Sequence, residues 1–369
     1  MLFRVPGLGA LAAKEPQPWP QLSVVIAACN EGSTLEAAAR SLLAQDYPDL
    51  EVVLVDDRST DDTGEVVDRL AEECDRVTPM HVRELPVGWL GKVNALHIGF
   101  SRAAGRWVLF TDADVHFAPG ALRRAVAVAE SLRLDHLTAI PSAWSVGVVV
   151  DTLVVAFLRT FLTVLQPPWG VDRPRSRRFF GVGAFNLVRR EAFERTAGFE
   201  WLRMDTADDM GVGLLMKRSG ARCLAITALD DVGLWWHRSV GEAARGLEKG
   251  FATLGHCRAW RLLALALPGL AFDTAPLWGL VAAFLPVPFP VRALGAGVAA
   301  AFVAASIVFS RWSRSPLVAA LLTPLLAPLI TVLFLRTAWL GWCRNGIAWR
   351  GTVYPCSDLR AGRRVKVTP

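Results

Sequence analysis

Residues 22–63 read LSVVIAACNEGSTLEAAARSLLAQDYPDLEVVLVDDRSTDDT. The run 22–28 is apolar over the length of a strand with no alternation, as expected of a strand buried on both faces. Ser33 to Glu36 has the form of a capping box and predicts a helix from there to about Gln45. Residues 51–56 form a second buried strand, and Asp61 to Glu73 a second helix. The pattern continues outward with a strand near 79–83, a helix from about Gly91 to Ala104, and the strand RWVLFTDAD (106–114), which ends in acids. Pro119 then suits the first turn of another helix. Strand and helix alternating in this way predict an α/β domain, a mostly parallel sheet with helices on both faces. In such sheets ligands sit beyond the carboxyl ends of the strands, which is where the acidic clusters fall.

The 369-residue chain is asymmetric. It is 53% hydrophobic and only 20% charged, but residues from about 20 to 258 mix apolar and charged types as a soluble domain does. Residues 261–342 are almost wholly apolar, which excludes a purely soluble or disordered chain. Three blocks stand out, 262–289, 294–310 and 317–342, each near the ~20 residues a span requires. The loop RWSRSP (311–316) and the Arg-rich tail beyond 342 both read as cytosolic by the positive-inside rule. Three full spans cannot satisfy that with a cytosolic catalytic part, so one Pro-broken block is expected to be re-entrant or interfacial. The run 144–170, with Asp151 and Arg159 inside it, is expected to lie in the headgroup region. The expected domains are an N-terminal membrane-surface arm (1–20), the α/β domain (21–258), a transmembrane region (259–342) and a basic tail (343–369). The net charge of +6 is small and dispersed. It suits an anionic membrane surface and gives no case for nucleic acid. Cys29, Cys74, Cys223, Cys257, Cys343 and Cys356 contain no CxxC pair and read as reduced thiols.

Three acidic clusters carry the chemistry. Asp56 and Asp57 end a strand, where a carboxylate can accept from a ribose hydroxyl or base N–H; Asp61 or Asp62 serves instead to cap a helix. Asp112 and Asp114, at i and i+2, face the same side and can converge on a hard divalent cation or a nucleotide. Asp208 and Asp209 open an apolar helix, where the macrodipole favours acids, and Asp209 is the candidate general base. Lys92, in GWLGKVNAL (88–96), stands where N–H groups and a cation would meet phosphates, though Pro86 rules out a P-loop. The glycine pairs 181/183 and 211/213 make no dinucleotide fingerprint. Arg173, Arg175, Arg177 and Arg178 suit lipid headgroups, a diphosphate or plain solvation, and His237 is either structural or a late metal ligand.

Together, 22–63, GWLGKVNAL, FTDAD, FFGVGAFNLVRREAFERTAGFE (179–200) and the ADD of 207–209 resemble the inverting family 2 glycosyltransferases with a GT-A fold. The likeness is to membrane-bound members such as ceramide glucosyltransferases and hopanoid- or carotenoid-associated bacterial enzymes. GIAWRGTVY (346–354) resembles a segment that follows the spans in these relatives. The resemblance implies a GT-A domain followed by transmembrane helices, with the catalytic domain on the cytoplasmic face. It implies that Glu31, Asp57 and Asp112 contact the nucleoside, that Lys92 approaches the phosphates, that Asp114 holds Mg2+ or Mn2+, and that Asp209 is the base. The implied reaction moves a sugar from a nucleotide-sugar donor, a UDP-sugar, to a lipid hydroxyl. Alternatives are transfer to a polyprenyl phosphate, a non-catalytic membrane binding or assembly protein, and a nucleotidyltransferase. Ala27 replaces the usual Pro of the first motif. No Q-x-x-R-W follows Asp209, which counts against a processive polysaccharide synthase, and the N-terminal span usual in such relatives has no counterpart in 1–20.

Overall fold

The computed structural model describes residues 5–366. In chain order the elements are β1 (Leu22–Ala28), α1 (Gly32–Leu43), β2 (Leu50–Asp57), α2 (Thr63–Glu73), β3 (Val77–Val82), α3 (Gly91–Arg102), β4 (Trp107–Asp112), β5 (His116–Phe117) and α4 (Ala121–Ser131). There follow β6 (His136–Ala143), α5 (Val148–Thr160) continued by a π-helical turn to Leu165, β7 (Asn186–Arg189), α6 (Arg190–Glu194), α7 (Gly198–Leu202), α8 (Asp208–Arg218) and β8 (Cys223–Leu234). The chain ends in α9 (Val240–Leu254), α10 (Ala259–Phe284), α11 (Phe289–Ser313), α12 (Leu317–Arg344), the hairpin β9 (Gly346–Trp349) and β10 (Thr352–Pro355), and α13 (Cys356–Gly362). Two units result. Among the described residues, 5–142, 167–234 and 361–366 form the first, and 143–166 with 235–360 form the second.

The first unit is built on an eight-stranded sheet of order β3-β2-β1-β4-β7-β6-β8-β5. Strands β3, β2, β1 and β4 are mutually parallel, and β7 continues the sheet antiparallel to β4. All seven residues of β1 are buried, as its unbroken apolar run requires of a strand covered on both faces. Helices α1 and α2 each bury one stripe, Leu35, Ala38, Ala39, Leu42 and Thr63, Val66, Val67, Leu70, at helical spacing. Register sets the site. Ala28 lies opposite Asp56, and Ala27 opposite Asp112, so β1, β2 and β4 end nearly level. The residues that follow them, Glu31, Asp57 and Asp114, therefore emerge at one edge.

Two local expectations are corrected. The capping box does not form: α1 begins at Gly32, whose N–H donates to Asp61, and Thr34 Oγ1 donates to Glu31. Glu36 is instead taken by Arg40 and Arg69. Of the N-terminal arm, residues 5–8 pack on the sheet, whereas most of 9–19 is exposed. Pro6 O accepts from Thr227 N–H, and Val5 and Leu8 are buried. Residues 1–4 of that expected arm lie outside the described residues.

The second unit holds the apolar helices. Four segments among the described residues are long and apolar enough to cross a membrane: Val148–Leu165, Ala259–Phe284, Phe289–Ser313 and Leu317–Arg344. Helix α10 leaves Leu267, Phe272, Trp278 and Phe284 exposed, an apolar surface larger than a soluble domain tolerates. Helices α10 and α11 touch where Gly279 and Gly295 meet backbone to backbone, the small-residue contact that lets membrane helices approach. Several charged groups here are paired. Asp151 accepts from Ser145 and the N–H groups of Val146 and Gly147, and Arg159 lies 3.8 Å from Asp273.

Residues 144–166 and α9 thus group with the spans rather than with the α/β domain to which 21–258 was assigned. The reason for α9 is Glu248, buried between Arg336 and Arg344 of α12 at 3.1 and 3.2 Å. Substituting Glu248 by Leu removes the carboxylate from both arginines, leaving Arg336 with the Ala244 carbonyl alone among these acceptors. Thermal unfolding in detergent is expected to show a loss of about 1–3 kcal/mol, with Glu248→Gln intermediate; an unchanged midpoint would refute this role.

Candidate active site

The end of β4, the start of β7 with the loop before it, and the first turns of α3 and α8 converge on one recess. It is lined by Lys92, Thr111, Asp112, Gly183, Asn186, Asp208 and Asp209, over an apolar floor of Leu96, Phe110 and Val212. Lys92 is the second residue of α3, at the positive end of that helix's dipole, where a cation is disfavoured. Its place is secured by two carboxylates. Lys92 Nζ lies 2.5 Å from Asp112 Oδ1 and 3.4 Å from Asp208 Oδ2, and the ammonium group is largely buried between them. The acids of α8 gain in turn from standing at a helix N-terminus.

Asp209 is held in place by backbone. Its Oδ2 accepts from Gly183 N–H at 3.1 Å and its Oδ1 from Met210 N–H at 2.7 Å, while its carbonyl accepts from Asn186 Nδ2 at 3.3 Å. This closeness explains Gly181 and Gly183, dismissed in sequence as no dinucleotide fingerprint. A Cβ on Gly181 would overlap the Asp209 carbonyl, and one on Gly183 would sit 2.7 Å from Asp112 Oδ2. Asp208 is the one of the two adjacent acids at the start of α8 that stands beside Lys92, a distinction that local sequence does not carry.

Asp114 lies in the turn just after β4, near Asp112. Burial, then the neighbouring charges of Asp112 and Glu31, push its carboxyl up to about 7, against a partial offset from Lys92. Glu31 joins that group from the start of α1, its N–H bonded to Thr63 and its Oε2 accepting from Thr34. Asp57 reaches the same strand end and lies under Gly91, next to Lys92, but its buried carboxylate is clasped by Arg58 Nε and Nη2 at 2.8 and 3.1 Å. Asp61 has the structural role expected, accepting from Gly32 N–H and from Thr63. His237 belongs to the second unit, buried against Gly246 and stacked on Trp236. Arg173, Arg175, Arg177 and Arg178 lie on an exposed to half-exposed loop, with Arg178 over the Trp169 ring.

Among the described residues no three His, Cys, Asp or Glu side chains form a ready cage for a metal. The donors still fit a hard cation. Mg2+-type ions use one or two carboxylates and complete their shell with substrate phosphates and water. Asp114, costly to ionise beside Asp112 and Glu31, is a group that a bound cation would relieve.

Residues 23–197 match the profile of Glycosyl transferase family 2. The chain carries a family 2 glycosyltransferase domain. This domain is 37% identical over 103 residues to the GalNAc(5)-diNAcBac-PP-undecaprenol beta-1,3-glucosyltransferase of Campylobacter jejuni, covering 28% of this chain and 32% of that one. The chain is 26% identical over 246 residues to the beta-monoglucosyldiacylglycerol synthase of Nostoc, covering 62% of this chain and 50% of that one. The chain thus spans a third to a half of the length of these relatives. Among solved structures, a mannosyltransferase from Pyrobaculum calidifontis in complex with GDP-Man and Mn2+ shares the fold, with a TM-score of 0.51, 22% identity and coverage of 87% of this chain and 89% of that one. The glycosyltransferase domain is therefore of the GT-A type, as its motifs implied.

The raised Asp114 pKa has a stability consequence. A folded value of about 7, above the ordinary 3.8, means the native state holds an extra proton between the two values. Stability falls as pH rises through that window, and the penalty is complete above it. Asp114→Asn is expected to raise the thermal midpoint of the metal-free protein in chelator at about pH 8.5, and to leave it unchanged at about pH 3.5, below both values. An equal effect at both would show that burial and charge do not act on this carboxyl.

Proposed function

We propose that the protein is an inverting glycosyltransferase, attached to the membrane by its apolar helices, that moves a sugar from a nucleotide-sugar donor to a lipid hydroxyl. The observation that carries this is Asp209, a carboxylate fixed by Gly183 and Met210 N–H groups on the wall of a recess that also holds Lys92, Asp112 and Asp208. A base must be held within reach of the proton it takes, in a cleft that also manages the charge on the leaving group.

In this reading the nucleoside lies over the ends of β1 and β2 at Glu31 and Asp57, and Asp112 shares that contact. Asp57 becomes available to it when Arg58 turns from the carboxylate toward the diphosphate. Lys92 stabilises the diphosphate as negative charge grows there, drawing on the position it holds between Asp112 and Asp208. Asp114 would hold a divalent cation, which supplies further positive charge to the leaving group when bound. Asp209 takes the proton of the acceptor hydroxyl as its oxygen attacks the anomeric carbon. The bond from that carbon to the diphosphate oxygen breaks, and a single displacement inverts the configuration. The names of the two relatives, one a synthase of monoglucosyldiacylglycerol and the other a glucosyltransferase on an undecaprenol-linked saccharide, support a lipid acceptor. The exposed faces of α10 and α11 support attachment at a bilayer, with the basic tail on the cytoplasmic side.

The test is a donor screen on membranes containing the protein, with mass spectrometry of the lipid extract. A glycosylated lipid is expected, dependent on Mg2+ or Mn2+, and absent with Asp114→Ala. Asp209→Asn is expected to lower turnover about 10²–10⁴-fold, the usual weight of a general base, with nucleotide affinity retained. Full turnover in Asp209→Asn would move the acceptor to an anionic polyprenyl phosphate, which needs no base. An unchanged lipid profile with every donor would refute glycosyl transfer.

A further inference from the structure

We propose that Asp205 is a positioning residue: its buried carboxylate straps the chain segment 361–366 onto the turn that carries Asp208 and Asp209, and so holds those acids against Lys92. The inference rests on the glycosyl-transfer reading for its catalytic meaning, and on hydrogen bonds for its structure. Asp205 is 1% exposed. Its Oδ2 accepts from Arg364 N–H at 2.5 Å and Val365 N–H at 2.6 Å, and its Oδ1 from Ala207 N–H at 2.9 Å. Three backbone donors converging on one side chain require an acceptor with two oxygens and no hydrogen. An amide of the same shape would turn N–H toward N–H at one of these positions.

The turn so held is bonded in two directions. Upstream, Arg203 O accepts from Leu90 N–H at 2.7 Å, two residues before Lys92, and Leu202 O accepts from Asp205 N–H at 2.7 Å. Downstream, Ala207 O accepts from Gly211 N–H at 2.8 Å, in the first turn of α8. One short stretch, 202–207, therefore links the start of the helix bearing Lys92 to the start of the helix bearing Asp208 and Asp209. The segment 361–366 clamps it from outside. Val365 is fully buried, the Arg364 guanidinium lies 5.9 Å from the centre of the Trp201 ring, and Gly362 abuts Met204 so closely that a Cβ would fall 2.2 Å from that side chain's own Cβ. The basic tail thus ends in a lock on the acids at the start of α8. A carboxylate displaced by an ångström from its working position loses on the order of 10²-fold in rate, so a strap at this place acts on turnover more than on donor binding.

The test uses the full chain in detergent with two strap variants, Asp205→Asn and Gly362→Val. Ser23→Ala is the control, since it removes buried hydrogen bonds to Glu51 and Gly105 at the opposite end of β1. Both strap variants are expected to lower kcat about 10²-fold with the donor KM changed by less than about threefold, whereas Ser23→Ala lowers the thermal midpoint and leaves kcat in place. Hydrogen–deuterium exchange is expected to show lost protection at 203–209 and at 364–365 in the strap variants and not in the control. Retained kcat, or a kcat loss that merely follows the fall in thermal midpoint as in the control, would overturn the proposal. So would unchanged protection at 203–209. If the wild-type chain transfers no sugar, the glycosyl-transfer reading fails, and the exchange data still decide whether the strap exists.

Discussion

Lys92 between Asp112 and Asp208 is the interaction on which the recess depends. Five carboxylates, those of Glu31, Asp112, Asp114, Asp208 and Asp209, are drawn to one edge of the sheet, and in a partly desolvated cleft their mutual repulsion costs more than it would in water. One ammonium group at 2.5 and 3.4 Å neutralises much of it. Asp114 is held up to about 7 first by its burial and then by Asp112 and Glu31, with Lys92 offsetting only part of this. A site in this condition is short of positive charge, which is what a cation-bearing diphosphate substrate would bring. The backbone is fitted to the same end. Gly181 and Gly183 have no side chains because Asp209 and Asp112 occupy that space.

The second unit obeys a different rule. Its helices expose large apolar side chains outward, and several of its buried charged groups find partners within it: Glu248 with two arginines, Arg159 with Asp273, Asp151 with the N-terminal turn of α5. That division of labour is the one expected when lipid replaces water as the solvent for part of a chain, because an unpaired polar group then has no alternative partner. The first unit instead draws on sequence from both ends. Val5 and Leu8 pack at its β8 edge, and Val365 fills a place beside Asp205. A division into consecutive segments, with a membrane-surface arm before the domain and a basic tail after the spans, places both outside the unit in which they pack.

The amino-acid sequence by itself determined the alternation of strand and helix from 22 to 114, β1 to the residue and β2 to within one, because strands buried on both faces leave an unbroken apolar run. It also determined the acids at the strand ends and the apolar C-terminal blocks, since composition and local spacing are read directly along the chain. Only the tertiary structure decided which acid neutralises Lys92, why residues 181 and 183 are glycines, that Arg58 covers Asp57, and that the capping box at Ser33 loses to bonds from Asp61 and Glu31. Each of these is a contact between residues distant in sequence, or a choice between local partners settled by a distant one. Hydrogen bonds and ion pairs act over a few ångströms in space, and position along the chain carries little record of which pairs will come within that distance.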